Sequence, residues 1–175
     1  MSLFETVDLE TARIAQDFSC MILGRPQQRS SKQARFIPNG RGGYVEKNGR
    51  PIVNLVDMND KSKSWMQEVR NAANNAMHYS GTKLMSGPIK LTARFYFMRP
   101  KAHFGSGRNS NLLKDSAPKH HAQSPDLCKL IRCLEDSLTG ILWQDDRLVF
   151  AYGEGTQRFW TETQERCEIE VREFV

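Results

Sequence analysis

Apolar positions along the chain recur with two different periods, and the change of period marks out the elements. From Ile89 to Met98 (IKLTARFYFM), Ile89, Leu91, Ala93, Phe95 and Phe97 alternate with Lys90, Thr92, Arg94 and Tyr96. A period of two sends successive side chains to opposite faces, so this is a strand with one buried face. The same period returns over 166–175, where Cys167, Ile169 and Val171 alternate with Glu168, Glu170 and Arg172 in a strand that closes the sheet. Asp17 to Gly24 (DFSCMILG) reads as a further strand stopped by Gly24, and Leu148–Tyr152 as a short apolar run.

The second period is helical. Leu127, Leu130, Ile131, Leu134 and Leu138 stand at i, i+3, i+4, i+7 and i+11, a core-facing stripe. Ser124 is placed as its N-cap, Pro125 as its first helical residue and Gly140 as its stop. Trp65, Val69, Ala72/Ala73 and Ala76 predict another helix over 61–79, capped by Asn59 or Asp60 and closed by Ser80-Gly81. A weaker helical pattern (Leu9, Ile14, Ala15) runs through 4–16. Between these elements lie two basic stretches, 24–50 and 100–123. The first shows neither period and reads as a long loop or irregular hairpin, of the kind that often carries function. Strands interspersed with two principal helices predict a single α+β domain over 1–175, with a mixed, mainly antiparallel sheet and an N-terminal extension at 1–16.

Composition narrows the class. At 175 residues, 39% hydrophobic and 26% charged, the chain suits one soluble globular domain. No apolar run reaches membrane-spanning length, and Glu5, Asp8, Glu10 and Asp17 leave no apolar centre for a secretory leader. Four cysteines lack both the density of a disulfide scaffold and the spacing of a zinc site, so reduced thiols in a cytoplasmic protein are expected. The net charge of +5 conceals a split: residues 1–121 hold 19 Lys/Arg against 9 Asp/Glu, while 122–175 hold 6 against 11. A polyanion-facing part and an acidic part with another job are implied.

The acidic part offers Asp126 at the start of the second helix, Asp136 near its end and Asp145-Asp146 in the loop after it. The helix and its loop could fold the pair back beside Asp126, and clustered carboxylates usually hold a cation. Alternatively, Asp126 serves the helix dipole and Asp-Asp forms a turn, which composition alone favours. The basic part offers Arg25, Arg29, Lys32 and Arg35 with Phe36 and Tyr44, then Arg99, Lys101 and Lys119 with His103, Phe104, His120 and His121. Basic residues interleaved with aromatics suit a phosphodiester backbone and a stacking base. His120-His121 with Cys128 and Cys133 has poor zinc spacing.

Three stretches carry a family resemblance: Pro125-Asp126-Leu127-Cys128-Lys129-Leu130-Ile131-Arg132, then Leu134 to Ile141 (LEDSLTGI), then Trp143 to Val149 (WQDDRLV). Together with Gly24-Arg25-Pro26, Phe95 to Lys101 (FYFMRPK) and Lys114 to His120, they resemble the RusA-like Holliday junction resolvases over about residues 18–172. The resemblance implies a RusA-like fold and a homodimeric, Mg2+-dependent endonuclease, with Mn2+ as a substitute. Such an enzyme cuts four-way DNA junctions symmetrically in recombination and repair. By position, Asp126 and Asp146 become metal ligands and catalytic residues, Asp145 a supporting carboxylate, and Arg132 the basic catalytic position. Arg25, Arg29, Lys32, Arg35, Arg99, Lys101, Lys119 and Lys129 become DNA contacts.

One position departs. Where the family carries the second aspartate of its D-x-D pair, this chain has Cys128, and a thiol is a poor ligand for a hard cation. The site either recruits another carboxylate such as Asp145 or Asp136, or binds junctions and cuts them poorly, or has been silenced by the substitution. A basic protein–protein adaptor is a third class of reading, distinguished by the absence of salt-dependent DNA affinity.

Overall fold

The computed structural model describes residues 13–29, 32–57 and 60–175. The main sheet has five strands: β1 (Ile14–Leu23), β6 (Ile89–Met98), β7 (Val149–Tyr152), β8 (Gln157–Thr161) and β9 (Arg166–Phe174). Its order is β1-β9-β6-β7, with β8 on the same side of β6 as β7 but further along it. β9 pairs antiparallel with both β1 and β6, whereas β7 and β8 run parallel to β6. The α+β expectation holds. The last strand does not close the sheet at an edge, however. It lies between β1 and β6, because its alternating apolar side chains belong under both helices.

Two helices, α1 (Asp60–Ser80) and α2 (Leu127–Leu138), pack together, and α1 also packs on β1. The residues that alternate on paper alternate in space. Ile89, Leu91, Ala93 and Phe95 are fully buried, with Cys167, Ile169 and Val171 beside them and Phe18 and Ile22 from β1. Against them lie Trp65, Val69 and Ala73 of α1 and Leu130, Leu134 and Leu138 of α2. The opposite sheet face is polar. Arg94 pairs with Glu170, Arg166 pairs with Glu168 at 2.7 Å, and the Arg166 guanidinium lies 3.8 Å over the Tyr96 ring.

Several sequence expectations need correction. Residues 14–16 begin β1 rather than end a helix, because pairing with β9 overrides a weak local pattern; most of the 4–16 reading lies outside the described residues. Asp60 is already helical, and Asn59 lies outside the described residues. Ser124-Pro125 is a cis peptide bond ahead of α2, and Asp126 is the N-cap. Strand β8 has little apolar alternation and is missing from the sequence reading. Gly153 lets the chain pass from β7 to β8: its N–H donates to the Leu91 carbonyl at 2.8 Å, and a Cβ there would stand 2.0 Å from Thr92 Oγ1.

Part of the first basic stretch is a hairpin arm. β2 (Lys32–Phe36) pairs antiparallel with β5 (Val53–Asp57), and β3 (Glu46–Lys47) pairs with β4 (Arg50–Pro51) nearer the tip. Among the described residues no helix is long and apolar enough to cross a membrane.

Candidate active site

Helix α2 divides its faces by chemistry. Leu130, Ile131, Cys133, Leu134, Ser137 and Leu138 are buried, while Cys128 and Arg132 are exposed at i and i+4 with Glu135 half-buried a turn later. Burial of the apolar stripe orients the helix and thereby turns Cys128, Arg132 and Glu135 outward. Gly140, at φ 78°, supplies the left-handed residue just beyond the helix end.

The start of the helix is clamped from two directions. The Asp126 N–H donates to Gln28 Oε1 at 2.7 Å, and its carbonyl accepts the first helical bond from Leu130 at 3.0 Å. Arg158 on β8 donates from one nitrogen to the Gln123 and Pro125 carbonyls at 2.5 and 2.7 Å. The Asp126 carboxylate stays exposed and pairs with Lys129 at 3.1 Å. Arg29 runs along the same helix, with its N–H donating to the Lys129 carbonyl and its Nε meeting Asp136 at 2.7 Å.

The two loop aspartates do different work. Asp145 caps the short 3-10 turn Asp146–Leu148, accepting from the Arg147 N–H at 3.0 Å. Asp146 faces the C-terminal half of α2. Burial pushes the Glu135 carboxyl up, and the charges of Asp146 and Asp136 act in the same direction, against the Tyr152 hydrogen bond and Arg132. The Tyr152 hydroxyl donates to Glu135 at 2.8 Å. Its pKa is pushed up to about 12, first by burial, then by the Glu135 hydrogen bond and charge, then by Asp146. Among the described residues neither the Asp146 nor the Arg132 side chain has a hydrogen bond or salt bridge, so both are available to a ligand.

No hydrogen bond or ion pair joins Asp126 to Asp145 or Asp146. Among the described residues no three His, Cys, Asp or Glu side chains form a metal-binding group. Asp126 and Asp146 are exposed carboxylates, the donor type a hard divalent cation takes. Cys128 is a free, exposed thiol, while Cys133 and Cys167 are buried.

A family model described as Endodeoxyribonuclease RusA matches residues 35–172. The chain belongs to the RusA family of endodeoxyribonucleases. Comparison with curated proteins finds no matching relative. The matched residues include α2 and the Asp145-Asp146 loop.

The basic residues separate by location. Arg25 is exposed, 3.8 Å from Glu165, and Lys101 and Lys119 are exposed beside the second loop. Lys32 and Arg35 lie on β2, where Arg35 is exposed. Arg99 points inward: it donates to the Pro118 carbonyl at 3.0 Å and its guanidinium lies 5.7 Å from the Trp160 ring centroid. It therefore braces the second loop. His121 and His103 brace it too, their rings 4.1 and 5.0 Å from Trp160, and both are buried. Thus His121 and Cys133 are core residues, not a zinc pair.

Sequence reasoning missed Gln28, Arg158, Glu135 and Tyr152. Glu135 and Tyr152 were signalled only by a polar residue on the outer face of an amphipathic helix and a tyrosine in a short strand. Gln28 and Arg158 had no local signal, because each acts on backbone groups far away in sequence.

Proposed function

We propose that this chain is a divalent-cation-dependent endonuclease that resolves four-way DNA junctions by symmetric strand cleavage as a homodimer. The family match over residues 35–172 carries the reading, since it includes Asp126, Arg132 and Asp146 together. Asp126 and Asp146 would hold Mg2+ or Mn2+, with Asp145 fixing the turn that presents Asp146. When bound, such a cation supplies a water of lowered pKa and offsets charge on the scissile phosphate. Arg132 meets a non-bridging phosphate oxygen and stabilises the negative charge that grows there as water adds to phosphorus and the P–O bond to the leaving sugar oxygen breaks. Arg25, Lys101 and Lys119 hold flanking phosphates, and the Lys129–Asp126 pair opens when DNA arrives. Two cuts related by a two-fold axis need two copies of this site.

Cys128 favours one second reading, a junction-binding protein with impaired cleavage, because its exposed thiol occupies a carboxylate position. Nicking of a synthetic four-way junction by the full chain, with and without Mg2+ or Mn2+, separates the two. Tight binding without nicking leaves only the binding protein. Cys128→Asp is expected to raise the cleavage rate by at least about tenfold, the scale on which partners in a metal site act. No gain would show that the thiol is not what limits the site.

A further inference from the structure

The hairpin arm carries an apolar face that nothing among the described residues covers. Its register places Phe36 opposite Val53 and Ala34 opposite Leu55, so these four side chains share one face, and Arg35 and Asn54 share the other. Phe36 is 51% exposed, Val53 48%, Leu55 60% and Tyr44 53%. None belongs to the buried core. A two-stranded ribbon with an open apolar face is marginal in water and calls for a partner.

The tip is nonetheless built rather than loose. The Asn39 side-chain oxygen accepts from the Arg41 and Gly43 N–H groups at 2.9 and 3.1 Å, and the Asn39 N–H donates to the Gly43 carbonyl at 3.0 Å. Val45 and Ile37 are joined by a 2.8 Å backbone bond. This turn returns Tyr44 onto Phe36, with ring centroids 5.0 Å apart. The two rings, tilted 46° to each other, form a preorganised aromatic pair. Around it the arm, residues 32–57, carries five basic residues (Lys32, Arg35, Arg41, Lys47, Arg50) against two acidic ones (Glu46, Asp57).

An exposed aromatic pair in a basic surround fits a nucleobase flanked by phosphates better than the apolar face of a protein. In continuous duplex both faces of every base are covered by neighbours; at a branch point they are not. We infer that one ring of the tilted Phe36–Tyr44 pair, braced by the other, stacks on a base face exposed at a DNA branch point and thereby makes this arm the element that prefers branched over linear DNA. The inference rests on the proposed junction activity and adds to it the part of the junction that is read.

The test is equilibrium binding of the full chain to a four-way junction and to a linear duplex of the same sequences, over a series of salt concentrations without divalent cation. A 2-aminopurine at the branch point reports stacking. Phe36→Ala with Tyr44→Ala should lower junction affinity about tenfold, leave duplex affinity and the log–log salt slope unchanged, and abolish the branch-point fluorescence change. Phe36→Trp should preserve all three. Equal junction affinity for the double variant and wild type overturns the inference while leaving the junction reading intact; so does an equal loss on duplex. Dissociation of a wild-type dimer by the double variant, seen by sedimentation velocity, also overturns it, assigning the face to a second copy. Wild-type protein that binds both DNAs alike contradicts the junction reading itself.

Discussion

Glu173 shows how one side chain can hold two ends of a fold. Its carboxylate accepts from the Ser86 and Gly87 N–H groups at 2.7 and 2.6 Å and from the Gln16 amide at 2.7 Å, tying β9 to the turn before β6 and to the start of β1. Burial alone would push the carboxyl up, but the hydrogen bonds from Gly87, Gln16 and Ser86 outweigh it and hold the group below its ordinary range. A depressed acid stabilises the folded state above its unfolded pKa, and that contribution is lost as pH falls through the folded value. Glu173→Ala should cost about 2 kcal/mol by leaving amide donors without a partner. Urea titrations at neutral pH and at low pH should show that the cost shrinks in acid; a pH-independent cost would contradict this role.

At the scale of elements, α2 and its supports decide the chemistry. Arg158 holds the Gln123 and Pro125 carbonyls and so fixes where Asp126 begins the helix. Arg158→Ala should slow cleavage by about 10²-fold, as a displacement of roughly 1 Å does, while leaving junction affinity and the fold intact; Arg158→Lys should recover part of the rate. Comparable losses in binding and cleavage would instead make Arg158 a DNA contact. The second basic loop rests on Trp160 through His121, whose pKa is lowered first by burial and then by the Arg158 and Arg25 charges. Protonation therefore disfavours the docked ring, and its support is lost as pH falls below the unfolded histidine range through the lower folded value. Trp160 fluorescence should follow that loss, and His121→Phe should remove the pH dependence. A transition unchanged by His121→Phe would place the titration elsewhere.

These same elements show what a sequence can and cannot reveal. Strand β6 was legible to the residue because its partners cover only one face, so Ile89 to Phe97 had to alternate. The stripe on α2 was legible for the same reason, and Gly140 marked its end. The helix start was misread, since Ser124-Pro125 has the composition of a cap, yet the chain turns there and Asp126 takes that position. Asp126 holds the cap position without a side-chain cap bond, while Asp145 caps the short turn that follows, as the turn reading of the Asp145-Asp146 pair expected. Gln28 and Arg158 were invisible because their partners are carbonyl and amide groups, which every residue carries.

Over the whole molecule, the charge split of the sequence is partly closed by ion pairs between its two parts, as in Arg29–Asp136 and Arg25–Glu165. The open face of the sheet is internally paired through Arg94–Glu170, Arg166–Glu168 and Arg172–Asp17, which leaves it close to neutral. Around α2, Asp126 pairs with Lys129 and Asp136 with Arg29, while Asp146 in the loop after the helix is exposed. The most direct test is strand cleavage of a four-way junction and of the matching linear duplex by wild-type protein and by Asp146→Asn, with and without Mg2+. The account predicts Mg2+-dependent cuts at symmetric positions on the junction alone, abolished in Asp146→Asn while junction binding persists. Cleavage that survives Asp146→Asn, or that falls equally on the linear duplex, would contradict it.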